Sequence, residues 1–200
     1  MKYIFQFLVI MVFAFIGEVL HHFIPLPVPA SIYGIVLLFL APATICLAVP
    51  LYQQINLLKK HWKAVVAGIV SGVVSSMVCI LLLALLFRFD HKTYVTFLPK
   101  SITTAIGMGV ADELGGYVSL AVVVIIITGV IGNVLAEAVL KLFRIEEPIA
   151  KGIAIGSSSH AVGTAKAMEI GEVEGAMSSL SIVVCGLLTV IGASLFSGII

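Results

Sequence analysis

Charged residues are scarce in this 200-residue chain. Asp, Glu, Lys and Arg together make up 10% of it, and the formal net charge is +1. A nucleic-acid-binding protein needs a basic surface that displaces counterions from phosphates, and 11 basic residues offset by 10 acidic ones do not indicate such a surface. We therefore set nucleic acid aside as a partner.

Cysteine is equally sparse, with three residues far apart at Cys46, Cys79 and Cys185. Each lies in an apolar segment, where a thiol behaves as a small hydrophobic group, and the odd number argues against a disulfide framework. The glycine pairs of the chain lack the spacing, the lysine and the flanking strands of nucleotide-binding loops. We expect neither a metal site nor a cofactor.

Apolar residues dominate what remains, at 61% of the chain, and the mean hydropathy is +1.24. These values are typical of integral membrane proteins, and no polar stretch is long enough to form a soluble domain. The sequence predicts an all-α, polytopic helical membrane protein of six or seven membrane segments, including discontinuous or re-entrant helices. The predicted spanning helices cover residues 3–20, 30–51, 64–87, 117–143 and 175–200.

Two further segments, residues 95–111 and 152–168, are short for a membrane span. Glycines, hydroxyl residues and one lysine interrupt each of them, and Pro99 also lies in the first. Irregular backbone is tolerated at membrane depth only where protein or a watery cavity satisfies it. Both segments are therefore predicted to be interior, broken elements. In the third span, Gly68-x-x-x-Gly72 predicts a face for close helix packing.

Basic residues concentrate in two stretches, residues 59–63 (KKHWK) and residues 141–151. The positive-inside rule places both stretches on the cytoplasmic side of the membrane. That placement requires residues 95–111 to re-enter the membrane without crossing it. If this segment crosses, the second basic stretch lies on the opposite side, so the sequence leaves the topology open.

The stretch GSSSHAVGTAK, residues 156–166, combines Ser159, His160 and Thr164 in an otherwise apolar region. One interpretation is a Ser/His hydrolase, but no acidic residue nearby orients the imidazole and no nucleophile elbow is present. A second is that the hydroxyls bond backbone carbonyls while His160 is a satisfied core residue and Lys166 reaches the interface. A third is a polar cavity for a small anion, with His160 as a group that couples proton movement.

Residues 99–104, Pro-Lys-Ser-Ile-Thr-Thr, repeat this chemistry with a permanent cation. Proline suits the first turn of a helix, so Lys100, Ser101, Thr103 and Thr104 are expected to surround the positive end of a helix that begins at Pro99. Such an arrangement favours a carboxylate or a phosphate. The alternative is that Lys100 lies at the membrane interface and marks only a helix start.

From about residue 40 to its end, the chain resembles the LrgB/CidB family of bacterial membrane proteins. The resemblance rests on three blocks in order, APATICLAVPLYQQINLLKKHW, LPKSITTAIGMGVADELGG and IAKGIAIGSSSHAVGTAKAMEIGEVEGAMSSL. Residues 1–39 are instead similar to the first helices of the partner family, LrgA/CidA, through Gly17, Glu18, the Leu-Pro-Val-Pro run, Ser31 and Gly34. Two parts are predicted, a partial LrgA/CidA-like segment at 1–39 and an LrgB/CidB-like membrane domain at 40–200 that lacks its usual first helices.

The resemblance implies two kinds of function in a bacterial cytoplasmic membrane, and neither is enzymatic. Relatives move glycolate, glycerate or pyruvate across membranes, whereas others are described as holin-like or antiholin-like regulators of murein hydrolase activity and cell lysis. It also implies a partner, either an LrgA/CidA-like membrane protein or another copy of the chain. Seven residues occupy the matching positions and are the predicted substrate-binding residues: Lys100, Ser101, Thr103, Thr104, Ser159, His160 and Thr164.

Overall fold

The structure is a computed structural model that describes residues 48–200 and, before them, only positions 11, 12, 15, 16 and 19. Contacts divide the chain into two units, Met1–Ala48 and Val49–Ile200. The predicted spans at 3–20 and 30–51, and the predicted boundary near residue 39, lie wholly or mostly outside the described residues. The second unit is described below.

Helices are the only regular secondary structure between residues 48 and 200, with no strand there, which confirms the all-α prediction for that part. Six helices follow a short helical stretch at residues 48–53. They are α1 (Ile55–Phe87), α2 (His91–Phe97), α3 (Thr104–Glu113), α4 (Val118–Leu142), α5 (Pro148–Ile170) and α6 (Glu172–Ser197).

Three of these helices, α1, α4 and α6, are long and apolar enough to span a membrane. They coincide with the spans predicted at 64–87, 117–143 and 175–200, and the predicted total of six or seven membrane segments stays a prediction. Helix α1 begins earlier than predicted because residues 59–63 are helical rather than a loop, with a local kink at His61 (φ −113°, ψ 19°). Residues 51–63 contain neither proline nor glycine, and lysine is a good helix former, so the helix continues through the basic stretch.

Helices α2 and α3 form a first hairpin that enters the bundle and returns to the same end. The backbone N–H of Tyr117, just after α3, donates a hydrogen bond of 2.8 Å to Oγ1 of Thr96 in α2. The ammonium of Lys92, at the start of α2, lies 4.3 Å from the Tyr117 ring centre. The end of α3 therefore lies beside α2, and residues 95–111 re-enter the bundle without crossing it.

Helix α5 is a second hairpin, because its backbone breaks at His160 (φ 43°, ψ −137°). Gly156 lies before the break and Thr164 after it, yet both contact Ser178 of α6. A methyl group on Gly156 would lie 2.5 Å from the Ser178 carbonyl oxygen, and Oγ1 of Thr164 lies 2.7 Å from Oγ of Ser178. The two arms of α5 therefore run antiparallel against one helix, which confirms the break predicted within residues 152–168.

The two hairpins enter from opposite ends of the bundle. The first arm of α5 runs parallel to α1, since Gly68 faces Ile153 and Gly72 faces Ser157 one turn further along both helices. The second hairpin thus enters at the end where α1 begins, whereas the first enters where α1 finishes. A span followed by a hairpin, repeated with inverted orientation, is the architecture of many secondary transporters.

The basic stretches at residues 59–63 and 141–151 both lie at the end where α1 begins, which we call the cationic end. We call the other, near Asp90, the opposite end. This arrangement follows from the re-entry of the first hairpin, because α4 then returns from the opposite end to the cationic end. With residues 95–111 re-entering rather than crossing, the positive-inside rule assigns both basic stretches to the same side of the membrane.

The Gly68-Gly72 face of α1 confirms the predicted packing face, and its partner is α5 of the same chain. A methyl group on Gly68 would lie 3.3 Å from the Ile153 side chain, and one on Gly72 would lie 2.8 Å from Oγ of Ser157. Ile153 belongs to the apolar core, in which residues of α1 and α6 pack against both hairpins. Helix α4 instead exposes most of its apolar side chains, as expected of a lipid-facing helix.

We predict that Gly156→Ala destabilises the protein by about 1–3 kcal/mol, because the added methyl group would overlap backbone atoms of Ser178 at 2.5 and 2.8 Å. The matched control is Gly109→Ala in α3, where nothing lies within 4 Å of the added carbon. Thermal unfolding in detergent measures both variants. Equal midpoints for the two variants would contradict the close packing of α5 on α6.

Candidate functional site

The tips of the two hairpins meet at a cavity of about 430 Å³, which we call the central cavity. Lys100 reaches it from the first hairpin, and Ser158 and Ser159 reach it from the second. Helix α4 contributes Thr128 and Gly132, and the rest of the lining is apolar. The cavity therefore brings one cation and several hydroxyls together near the middle of the bundle.

Lys100 is the only basic residue that lines the central cavity among those the structure describes. Its ammonium donates a hydrogen bond of 2.8 Å to Oγ of Ser101, and that oxygen lies 3.1 Å from Oγ of Ser76 in α1. Within residues 48–200 no carboxylate pairs with Lys100. A lysine placed at this depth without a countercharge is suited to hold an anion.

The first tip differs from the helix start predicted at Pro99. Residues 98–103 form turns, in which the Lys100 N–H donates to the Phe97 carbonyl at 3.1 Å, and α3 begins only at Thr104. Leu98 and Ile102 are 2% and 1% exposed, so they anchor the tip in the core and leave Lys100 between them at its surface. Lys100 therefore lies in the turn that precedes α3 rather than in the first turn of that helix.

The serines of the second tip make the local hydrogen bonds that were predicted as an alternative to a binding role. Oγ of Ser158 donates to the Ala154 carbonyl at 2.7 Å and lies 3.0 Å from Oγ of Ser159. Ser159 is 2% exposed and packs directly against Gly132 of α4. The second tip can approach α4 this closely because residue 132 is a glycine, which has no side chain to collide with Ser159.

His160 lies at the second tip but is not among the residues that line the central cavity. Its Nε2 is 3.0 Å from the Ile125 carbonyl oxygen. Because a carbonyl only accepts hydrogen bonds, Nε2 carries a proton and donates. The side chain is 4% exposed and packs against Gly129, where a methyl group would lie 2.6 Å from the imidazole Cε1. His160 therefore fastens the tip to α4.

The arrangement around His160 does not form a catalytic triad within the described residues. Its hydrogen-bond partner is a backbone carbonyl rather than a carboxylate, and Ser158 bonds to carbonyls of its own helix rather than to the imidazole. Residues 48–200 also contain no group of three His, Cys, Asp or Glu side chains placed to hold a metal ion.

The predicted threonines lie beside the cavity rather than in it. Thr103 is the N-cap residue of α3, and its carbonyl accepts a bond from the Gly107 N–H at 2.8 Å. Thr104 begins that helix, and Oγ1 of Thr164 donates to the His160 carbonyl at 2.9 Å. Of the seven predicted residues, Lys100 and Ser159 line the central cavity, and Ser101 accepts a hydrogen bond from Lys100. The other four do not line it: Thr103, Thr104, His160 and Thr164.

The second arm of α5 is tied to α4 at its outer end. The Lys166 ammonium, predicted to reach the interface, lies 2.8 Å from a carboxylate oxygen of Glu137 and 3.2 Å from one of Glu169. Nearer the tip, the Asn133 side chain donates to the Val162 carbonyl at 2.8 Å. Together with His160, these contacts fix the hairpin along α4.

Sequence reasoning missed the contribution of α4 and α1 to the site. Thr128, Gly129, Gly132 and Asn133 cluster in the middle of a predicted span that is otherwise strongly apolar. Small and polar residues inside such a span indicate close helix approach and hydrogen bonding, so this signal was present. No comparable sequence pattern around Ser76 of α1 indicates that this residue belongs to the site.

The family model described as "LrgB-like family" matches residues 3–199, which is nearly the whole chain and includes most of the segment predicted to be LrgA/CidA-like. No solved structure matches the chain.

We predict that His160→Ala lowers stability by about 1–3 kcal/mol, because it removes a buried hydrogen bond to the Ile125 carbonyl and the packing of the imidazole against Gly129. His160→Gln keeps a side-chain N–H and should recover much of this loss. Thermal unfolding in detergent compares the two variants. A His160→Ala protein as stable as the parent would show that the hydrogen bond does not hold the tip.

Proposed function

The chain belongs to the LrgB-like family, and we propose that it moves small carboxylates, of the pyruvate, glycolate or glycerate class, across a membrane. The observation that carries the proposal is the position of Lys100. It lines a cavity at which hairpins from opposite ends of the bundle meet, and no described carboxylate neutralises it.

The chemistry of the central cavity suits a small organic anion. A carboxylate loses its hydration shell on entering the bundle, which is costly unless preformed donors and a nearby cation replace the water. Lys100 supplies the cation, Ser158, Ser159 and Thr128 supply hydroxyls, and the apolar lining suits a short carbon chain. Ser101 and Ser76 hold the lysine in place by hydrogen bonds.

The hairpins also provide a means of exposing the cavity to one side at a time. In transporters with inverted repeats, the site stays near the middle of the bilayer while one repeat moves relative to the other. Here each hairpin contributes its tip to the same cavity and enters from a different end. We propose that alternate displacement of the two hairpins opens the cavity to the two sides.

The distribution of charge supports one orientation. Both basic stretches, at residues 59–63 and 141–151, lie at the cationic end, so the positive-inside rule places this end in the cytoplasm of a bacterial cell. In this proposal the protein is a transporter of the cytoplasmic membrane and not an enzyme, and it needs no cofactor.

A second candidate function is holin-like or antiholin-like regulation of murein hydrolase activity and lysis. The observation in its favour is the apolar outer wall of the central cavity, where Ile127, Ile131 and Leu135 are 51%, 52% and 47% exposed. Proteins that form membrane lesions need helices that associate through such faces. The same face suits a partner in either function, either a second copy or an LrgA/CidA-like protein.

We predict that Lys100→Ala abolishes carboxylate flux, because the substrate then loses the only cation of the central cavity among the described residues. The measurement is uptake of labelled pyruvate or glycolate by liposomes containing the purified protein. The matched control is Lys166→Ala, which removes a lysine from a half-exposed ion pair outside the cavity and should leave most of the flux intact.

Flux undiminished by Lys100→Ala, with equal amounts of protein inserted, would remove Lys100 from the proposed site. Uptake and dye-leakage assays of the unmutated protein distinguish the two candidate functions. Saturable uptake without leakage of a trapped dye supports transport. Dye leakage without saturable uptake supports the holin-like alternative.

A further inference from the structure

A second cavity of about 420 Å³ opens at the cationic end, and we call it the vestibule. It lies where α4 ends and α5 begins. Its charged lining consists of three basic and two acidic residues: Lys141, Arg144, Lys151, Glu137 and Glu146. Basic residues predominate, so the vestibule attracts anions more than cations, and it lies on the side from which the second hairpin enters.

The vestibule and the central cavity have two lining residues in common among the described part of the chain, Leu140 and Ile145. Leu140 is 6% exposed and Ile145 is partly buried, and both pack in the small core formed by Ala136, Ile155 and Ala167. These two apolar side chains therefore stand where the charged vestibule adjoins the cavity that contains Lys100.

The backbone holds Leu140 and Ile145 together at the end of α4. The Ile145 N–H donates to the Leu140 carbonyl at 2.9 Å, and the Arg144 N–H donates to the Lys141 carbonyl at 3.2 Å. Arg144 has a positive φ of 54°, the conformation that glycine usually adopts at such helix ends. This cap pattern brings an apolar side chain beyond the helix onto one in its last turn, as it does here.

We infer that Leu140 and Ile145 form an apolar constriction that controls passage between the vestibule and the central cavity. The inference rests on the proposed transport function and specifies its route at the cationic end. An anion collected by Lys141, Arg144 and Lys151 would pass between these side chains to reach Lys100. Such a constriction closes the route from the vestibule until the second hairpin or the end of α4 moves, whereas the half-exposed outer wall of the cavity at Ile127, Ile131 and Leu135 is the face proposed to meet lipid or a partner.

The test is the accessibility of a cysteine in the central cavity to a charged, membrane-impermeant thiol reagent. Ser158→Cys is introduced after the native Cys46, Cys79 and Cys185 have been replaced. A separate Lys151→Cys protein reports that the reagent reaches the vestibule. Ser158 is exposed beside the apolar outer wall of the cavity, so the reaction is run in membrane vesicles, where a charged reagent does not enter through lipid. We expect slow labelling at position 158, rapid labelling at position 151, and a several-fold faster rate at position 158 when Leu140→Ala or Ile145→Ala is added.

The matched control is Leu142→Ala, which shortens a neighbouring leucine that is 75% exposed and lines neither cavity. It should leave labelling at position 158 slow. Equal rates at positions 158 and 151 in the parent, or no acceleration by Leu140→Ala and Ile145→Ala, would overturn the inference. The readout needs no substrate, so the constriction can fail this test while transport is observed, and transport can fail while the constriction is confirmed.

Discussion

A break in a helix at membrane depth frees backbone groups that only the protein itself can satisfy. This constraint explains why the two broken segments of the chain meet other elements rather than lipid. The first tip satisfies itself through turns such as that from the Lys100 N–H to the Phe97 carbonyl, with Leu98 and Ile102 buried around it. At the second tip, the His160 carbonyl accepts from Oγ1 of Thr164 and the Val162 carbonyl accepts from the Asn133 side chain of α4.

Close approach of these elements depends on small residues at particular contacts. Gly132 accommodates Ser159, Gly129 accommodates His160, and Gly156 lies against the backbone of Ser178. Side chains at these positions would separate the second hairpin from α4 and α6. The same contacts bring Ser158 and Ser159 to the cavity that Lys100 lines. The set of polar groups in the central cavity therefore depends on the close packing of these helices.

Hydropathy predicted the three described spanning helices, and glycine, proline and hydroxyl residues predicted both broken segments. The sequence alone did not decide whether residues 95–111 cross the bundle, because that depends on the contacts of Thr96 and Lys92 with Tyr117. Of the seven residues predicted to bind substrate, Lys100 and Ser159 line the central cavity, and their binding role stays a prediction. The predicted helix start at Pro99 was wrong, because turn bonds around Lys100 delay the start of α3 to Thr104. The contribution of α4 was missed because Thr128, Gly129, Gly132 and Asn133 lie within an otherwise strongly apolar span.

The proposed transport mechanism depends on re-entry of the two hairpins from opposite ends, which side-specific thiol labelling of intact and inverted membrane vesicles can measure. Single cysteines replace Asp90 and Glu113, which flank the first hairpin, and Glu146 and Glu172, which flank the second. We expect positions 90 and 113 to react from one face of the membrane and positions 146 and 172 to react from the other, which is the cytoplasmic face. Reaction of positions 90 and 113 from opposite faces, or of positions 146 and 172 from opposite faces, would contradict it.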